Sequence, residues 1–76
     1  MPMRVRVKCF ATLADHTPPQ GFLELEEGSV VEAMLPILGL EVADIKLVFV
    51  NSRNSGLETA LADGDQVGIF PAVGGG

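Results

Sequence analysis

The stretch Met3-Arg4-Val5-Arg6-Val7-Lys8-Cys9-Phe10 alternates without a break, and this alternation constrains the fold more than any other feature of the chain. In a strand successive side chains point to opposite faces, so Val5, Val7 and Cys9 share one face while Arg4, Arg6, Lys8 and Phe10 share the other. A half-buried strand needs neighbours along its edges and a layer over its apolar face. The neighbours are visible in the sequence. Phe22-Leu23-Glu24-Leu25-Glu26 alternates again, and its acidic face can lie opposite the basic face of the first strand in an antiparallel hairpin, where cross-strand pairs contribute about 0.2–1 kcal/mol each. Gln66-Val67-Gly68-Ile69-Phe70 alternates at the far end, with Val67 and Ile69 inward and Phe70 outward. Between the first two strands, residues 11–15 fit a helical turn. His16-Thr17-Pro18-Pro19-Gln20-Gly21 reads as a loop because its prolines lack backbone donors.

The covering layer is predicted from Ser29 onward. Ser29-Val30-Val31-Glu32 fits a capping box, and Val30, Ala33, Met34 and Ile37 recur at the spacing of one apolar helical stripe. Pro36 would cost about 3 kcal/mol in a helix interior, so the spacing predicts a short helix that tightens or kinks near Leu35 and ends by Gly39. Leu47-Val48-Phe49-Val50 is a continuous apolar run that suits a strand buried on both sides. Residues 51–56 read as turn throughout, residues 57–61 as a brief strand or helical turn, and Asp63-Gly64-Asp65 as a tight turn. The resulting order is β-β-α-β-(β)-β, an α+β fold with one main helix across one face of a mixed sheet. The other face stays open. If the first and last strands are neighbours, Phe10 and Phe70 sit close together on it; a bulge in either strand would shift the parity and bury both rings.

A single domain is all that 76 residues allow, and its core must stabilise it unaided. Cys9 is the one cysteine, which excludes an internal disulfide, and one His with one Cys cannot build a structural zinc site. The apolar share of 47% and mean hydropathy of +0.37 leave apolar surface for a partner. A net charge of −5 disfavours nucleic acid and anionic membrane and points to a basic protein surface as partner. No apolar leader follows Met1-Pro2-Met3-Arg4 and no run approaches a membrane span, so a cytoplasmic protein is expected. Phosphate-loop, dinucleotide, zinc-protease and nucleophile-elbow motifs are all missing. His16 reads as a solvated loop residue, Cys9 as an inert buried thiol, and Glu24, Glu26 and Glu27 as a solvated acidic face.

The unusual segment is Phe70-Pro71-Ala72-Val73-Gly74-Gly75-Gly76. Glycines cost about 0.5–1 kcal/mol apiece in a regular element, so three in succession serve something other than the fold. Extended, the six residues after Phe70 reach roughly 20 Å. The chain therefore divides into a domain over residues 1–70 and a tail over residues 71–76, with the Gly76 carboxylate at the tip.

The run from Leu61-Ala62-Asp63-Gly64-Asp65-Gln66-Val67 through Gly74-Gly75-Gly76 resembles the end of the small sulfur-carrier proteins of the ubiquitin-like β-grasp fold, whose pattern is L-x-D-G-D-x-V-x-x-F-P-P-V-x-G-G. The resemblance covers essentially the whole chain, since Val5 to Leu13 is also similar to that family's first strand and following turn. It is nearest the small subunit of molybdopterin synthase (the MoaD family), with the thiamin sulfur carriers (the ThiS family) more distant. Ala72 replaces a common second proline, Ser52 follows Asn51 where glycine is usual, and Pro36 shortens the helix.

The resemblance implies a cycle in which this chain binds no cofactor and is the non-catalytic, sulfur-carrying small subunit of a transferase complex. An E1-like adenylyltransferase (MoeB/ThiF-like) would use ATP to adenylate the Gly76 carboxylate. A sulfur donor protein would displace AMP, and the thiocarboxylate would enter a MoaE-like large subunit to deliver sulfur to the molybdopterin precursor. Gly74 and Gly75 would thread both enzymes, while Phe10, Phe70, Pro71 and Val73 would dock on them. A ubiquitin-like protein modifier, a carrier for thiamin or another sulfur-containing metabolite, and an interaction domain with an inert tail are the alternatives.

Overall fold

The computed structural model describes residues 2–72, and the expectations for Val73, Gly74, Gly75 and Gly76 lie outside them. The first strand, β1 (Pro2–Cys9), alternates strictly between exposed and buried residues, as its sequence requires. Strand β2 (Phe22–Glu26) pairs with it antiparallel, placing Arg4 opposite Glu24 and Val5 opposite Leu23. Arg4 Nη2 donates to Glu24 Oε2 at 3.0 Å, yet both side chains are more than half exposed, so the pair adds at most about 1 kcal/mol. Strand β5 (Gln66–Pro71) runs parallel to β1 on its other side, with Val7 opposite Val67 and Cys9 opposite Ile69. Strand β3 (Ile45–Val50) lies antiparallel to β5, and β4 (Arg53–Ser55) antiparallel to β3, giving the sheet order β2-β1-β5-β3-β4.

The inner face of this sheet carries Val5, Val7, Cys9, Val48, Val50, Val67 and Ile69, all buried against the helical layer. Side chains as enclosed as Val5 and Ile69 each stabilise the fold by about 1.5–3 kcal/mol through removal from water.

The helical layer differs from expectation in phase and in capping. Residues Val31–Ala33 form a 3₁₀ turn that leads into α1 (Met34–Leu38). Val30 takes the N-cap position in extended conformation, no side chain caps either segment, and the expected Ser29–Glu32 box does not form. The reason lies in residues 57–60. The first backbone donors of the turn are satisfied by that segment, Val31 N–H donating to the Thr59 carbonyl at 3.0 Å and Glu32 N–H to Leu57 at 2.9 Å. Val30 itself bridges to Ala60. The helical stripe therefore begins one residue later and buries Val31, Met34, Leu35 and Leu38, while Ala33 is exposed and Ile37 is 57% exposed. The tight turn falls before α1 instead of near Leu35. Pro36 then occupies the first turn of α1, where an N–H has no partner within the helix, so the interior penalty does not apply. The helix ends as expected: Gly39 adopts φ +79°, and Leu40 N–H reaches back to the Leu35 carbonyl at 2.8 Å.

Strand β3 is half-buried, in contrast to the two-sided burial expected, because Leu47 and Phe49 turn to the open face. A register shift between Ile45 and Leu47 returns Ile45 to the core side, opposite Pro71. The fourth strand also moves. It forms at Arg53–Ser55, inside the stretch read as turn, and residues 57–61 contribute only the single bridge. Asn51 and Ser52 make the two-residue connection with φ +53° and +71°, the left-handed pair that a tight hairpin demands.

The Asp63-Gly64-Asp65 turn ties several segments together. Gly64 has φ +87°, and its N–H donates to the Arg4 carbonyl. Asp63 Oδ1 accepts from Arg4 N–H at 2.8 Å. Asp65 accepts from Ala62 N–H and from Asn51 Nδ2, both at 2.9 Å, while Asn51 Oδ1 accepts from Gln66 N–H at 3.0 Å. One short turn thus fixes the start of β1, the β3–β4 hairpin and the start of β5. His16 is half-buried where solvation was expected, with Nδ1 donating to the Leu38 carbonyl at 2.9 Å and so joining the 3₁₀ turn Ala11–His16 to the end of α1.

Candidate functional site

The open face of the sheet is organised by the parity of β1, β3 and β5. Phe10, one residue past β1, has its N–H held by the Ile69 carbonyl at 3.0 Å, and this places its ring beside β5. Its ring stacks on Phe70 with centroids 4.3 Å apart and planes 2° from parallel. Phe49 meets Phe70 edge-on at 5.5 Å and 88°. Such aromatic pairs are worth about 0.5–1.5 kcal/mol beyond the area they bury. Gly68 makes the floor of this group, since a Cβ there would stand 3.3 Å from Phe10 Cε2 and 3.7 Å from Phe70 Cε1. Around the rings lies an open depression of about 960 Å³.

Phe10 and Phe70 therefore occupy the open face side by side, and the bulge that would have buried both does not occur in β1 or at this end of β5. Pro71 is placed differently: it is buried opposite Ile45, on the core side of β5. Ala72 follows, its N–H donating to the Asp44 carbonyl at 2.9 Å, and it is the last described residue. Phe70 thus lies two residues before Ala72, where the described chain ends.

Sequence reasoning missed Phe49 and Gly68. The continuous apolar run 47–50 concealed the alternation of β3, and only the register with β5 brings Phe49 to Phe70. For Gly68 the available signal was the alternation of residues 66–70, which puts it on the same face as Phe70.

Cys9 is buried, and its backbone is tied at both ends to the Thr17 hydroxyl, which accepts from its N–H and donates to its carbonyl. Burial pushes the Cys9 thiol up from its ordinary range, and the hydrogen bond with Thr17 offsets only part of that shift. Among the described residues no cluster of three or more His, Cys, Asp or Glu side chains could hold a metal ion, and no buried side-chain nitrogen or oxygen lacks a partner. No helix among them is long and apolar enough to cross a membrane. What the described surface offers is an aromatic face beside the base of residues 73–76.

The comparisons with known proteins bear on the family and the fold. The ThiS family model matches residues 7–76. A search of curated proteins finds no match. Among solved structures, a Pyrococcus furiosus protein provisionally assigned as molybdopterin converting factor subunit 1 is 30% identical, with 93% of this chain and 99% of that one covered and a TM-score of 0.68. SAMP1 from Haloferax volcanii is 25% identical over 96% of this chain and 99% of its own, with a TM-score of 0.69. The small archaeal modifier protein SAMP1 from Methanosarcina acetivorans is 27% identical over 100% and 99%, with a TM-score of 0.66. With a mixed five-stranded sheet and one short α-helix among the described residues, and a family match over residues 7–76, this chain belongs to the ThiS family of ubiquitin-like β-grasp proteins, the MoaD/ThiS-like sulfur carriers.

Proposed function

We propose that the protein carries sulfur on Gly76 as the small subunit of a molybdopterin-synthase-like complex. The observation that carries the reading is the family match, which runs through Gly76 on a domain whose aromatic face adjoins the tail's base. A carboxylate is a poor electrophile, so it is first activated: a Gly76 oxygen attacks the α-phosphorus of ATP on an E1-like enzyme, and pyrophosphate leaves. The outer sulfur of a donor persulfide attacks the acyl carbon and AMP leaves. A second thiol then cleaves the S–S bond of the resulting acyl disulfide, leaving a disulfide on the donor side and a thiocarboxylate on Gly76. In the large subunit that sulfur passes to the pterin precursor, and water restores the carboxylate. Gly74 and Gly75 admit the tip to both enzymes, and Phe10 and Phe70 hold the domain against them, offsetting the entropy of ordering the tail. The similarity to the Pyrococcus furiosus protein supports the molybdopterin branch over the thiamin branch.

A second reading has its own support. Two similar structures are SAMP1 proteins, one of them described as a small archaeal modifier, which favours attachment of Gly76 to a lysine amine after the same adenylation.

Intact mass after co-expression with an E1-like activator and a sulfur donor tests the carrier. An increase of about 16 Da localised to Gly76, the exchange of one oxygen for sulfur, is expected. A persistent free carboxylate beside a competent activator overturns the carrier reading, and isopeptide-linked conjugates would establish the modifier.

A further inference from the structure

The net charge of −5 suggested a basic partner, but the charge is unevenly distributed. Three of the five basic residues, Arg4, Arg6 and Lys8, project from the outer side of β1. Arg4 is engaged by Glu24 and lies 4.3 Å from the centre of the Phe22 ring. Further along, the Lys8 ammonium stands 5.3 Å from the centre of the Phe10 ring, and Arg6 has no side-chain partner among the described residues. Arg6 and Lys8 line the depression together with Phe10, Phe49 and Phe70, whereas none of the ten acidic residues lines it. The face that carries the half-buried aromatic group is therefore also a cationic one.

We propose that this face binds a protein surface on which carboxylates surround an apolar or aromatic side chain. The apolar group covers Phe49 and Phe70, while the carboxylates meet Arg6 and Lys8. The proposal rests on the docking role given above to Phe10 and Phe70, and it reverses the partner charge that composition suggests. Arg6 supports it because its guanidinium can gain a carboxylate without first giving one up. Charged groups at the rim of an apolar contact act mainly on partner choice and association rate. Single-stranded nucleic acid would use the same two residue types, but here Phe10 and Phe70 stack on each other, which takes up one face of each ring. A chain of net charge −5 also repels a phosphate backbone.

The test is a titration of the isotopically labelled full chain, followed by amide chemical shifts. The probes are a short peptide alternating Asp and Phe, its counterpart alternating Lys and Phe, and a short oligothymidylate. The Asp-Phe peptide is expected to shift the amides of Arg6, Lys8, Gly68 and Phe70, with little response to the other two. Raising salt from roughly 50 to roughly 500 mM should weaken it several-fold. The double variant R6E/K8E should weaken it about tenfold and admit the Lys-Phe peptide instead. Equal responses to both peptides, a response to the oligothymidylate alone, or no response overturns the proposal. Concentration-dependent shifts at these amides without any probe would also overturn it, by assigning the face to a second copy. Binding is read whether or not Gly76 carries sulfur, so a failure here leaves the sulfur-transfer reading standing, and a free carboxylate in the mass experiment leaves this face standing.

Discussion

Ser52 sits at φ +71° in the second position of a two-residue hairpin, a conformation that glycine adopts without strain and serine does not. The variant S52G is expected to stabilise the protein by about 0.5–1 kcal/mol, the left-handed penalty less the extra freedom glycine brings to the unfolded chain. Chemical denaturation measures it, and a loss of stability would show that the Ser52 side chain compensates for the strain. Cys9 makes a prediction of opposite character. Its thiol is raised by burial, so the folded protein binds its proton more tightly than the unfolded chain does. The stability linked to it is complete below about pH 8.5 and falls as pH rises through the folded value, by at most about 1.4 kcal/mol per pH unit. Replacement by Ala should flatten that decline, and iodoacetamide should label wild-type Cys9 at the rate of global opening. Labelling as fast as a free thiol would contradict its burial.

At the scale of elements, the helix is the sharpest case. The stripe through Ile37 and the stripe through Leu38 differ by one residue, and the structure selects the second. L38A should cost about 2–5 kcal/mol, whereas I37Q should change stability by less than about 0.5 kcal/mol. Equal losses in thermal or denaturant unfolding would return the stripe to Ile37. The sequence could not show this phase because Val30 is apolar for a different reason: it enters the helix as extended chain bridged to Ala60, a contact thirty residues away. The three alternating strands were readable, since a period of two needs no knowledge of neighbours, and so was the approach of Phe10 to Phe70 once β1 and β5 were taken as adjacent. Strand β4 was not. Arg53, Asn54 and Ser55 have the composition of a turn, and they become a strand only because the Asn51-Ser52 hairpin lays them along β3. The capping box was misread for a related reason, as backbone carbonyls of residues 57 and 59 do the work a serine hydroxyl would have done.

The molecule as a whole has its first and last strands side by side, parallel, in the middle of the sheet. Under the function proposed above, a partner that takes hold of residues 73–76 would act directly on β5. Strands paired in parallel and pulled from opposite ends do not unzip one bond at a time. The registered pairs from Arg6–Gln66 to Cys9–Ile69 are loaded together, and β3 resists from the other side. The expected behaviour under tension between the two termini is a single high-force rupture, measurable by single-molecule pulling, in place of gradual peeling at low force. An enzyme that draws hard on the tail would thus meet a mechanical clamp, and the domain could be hauled by its C-terminus without coming undone.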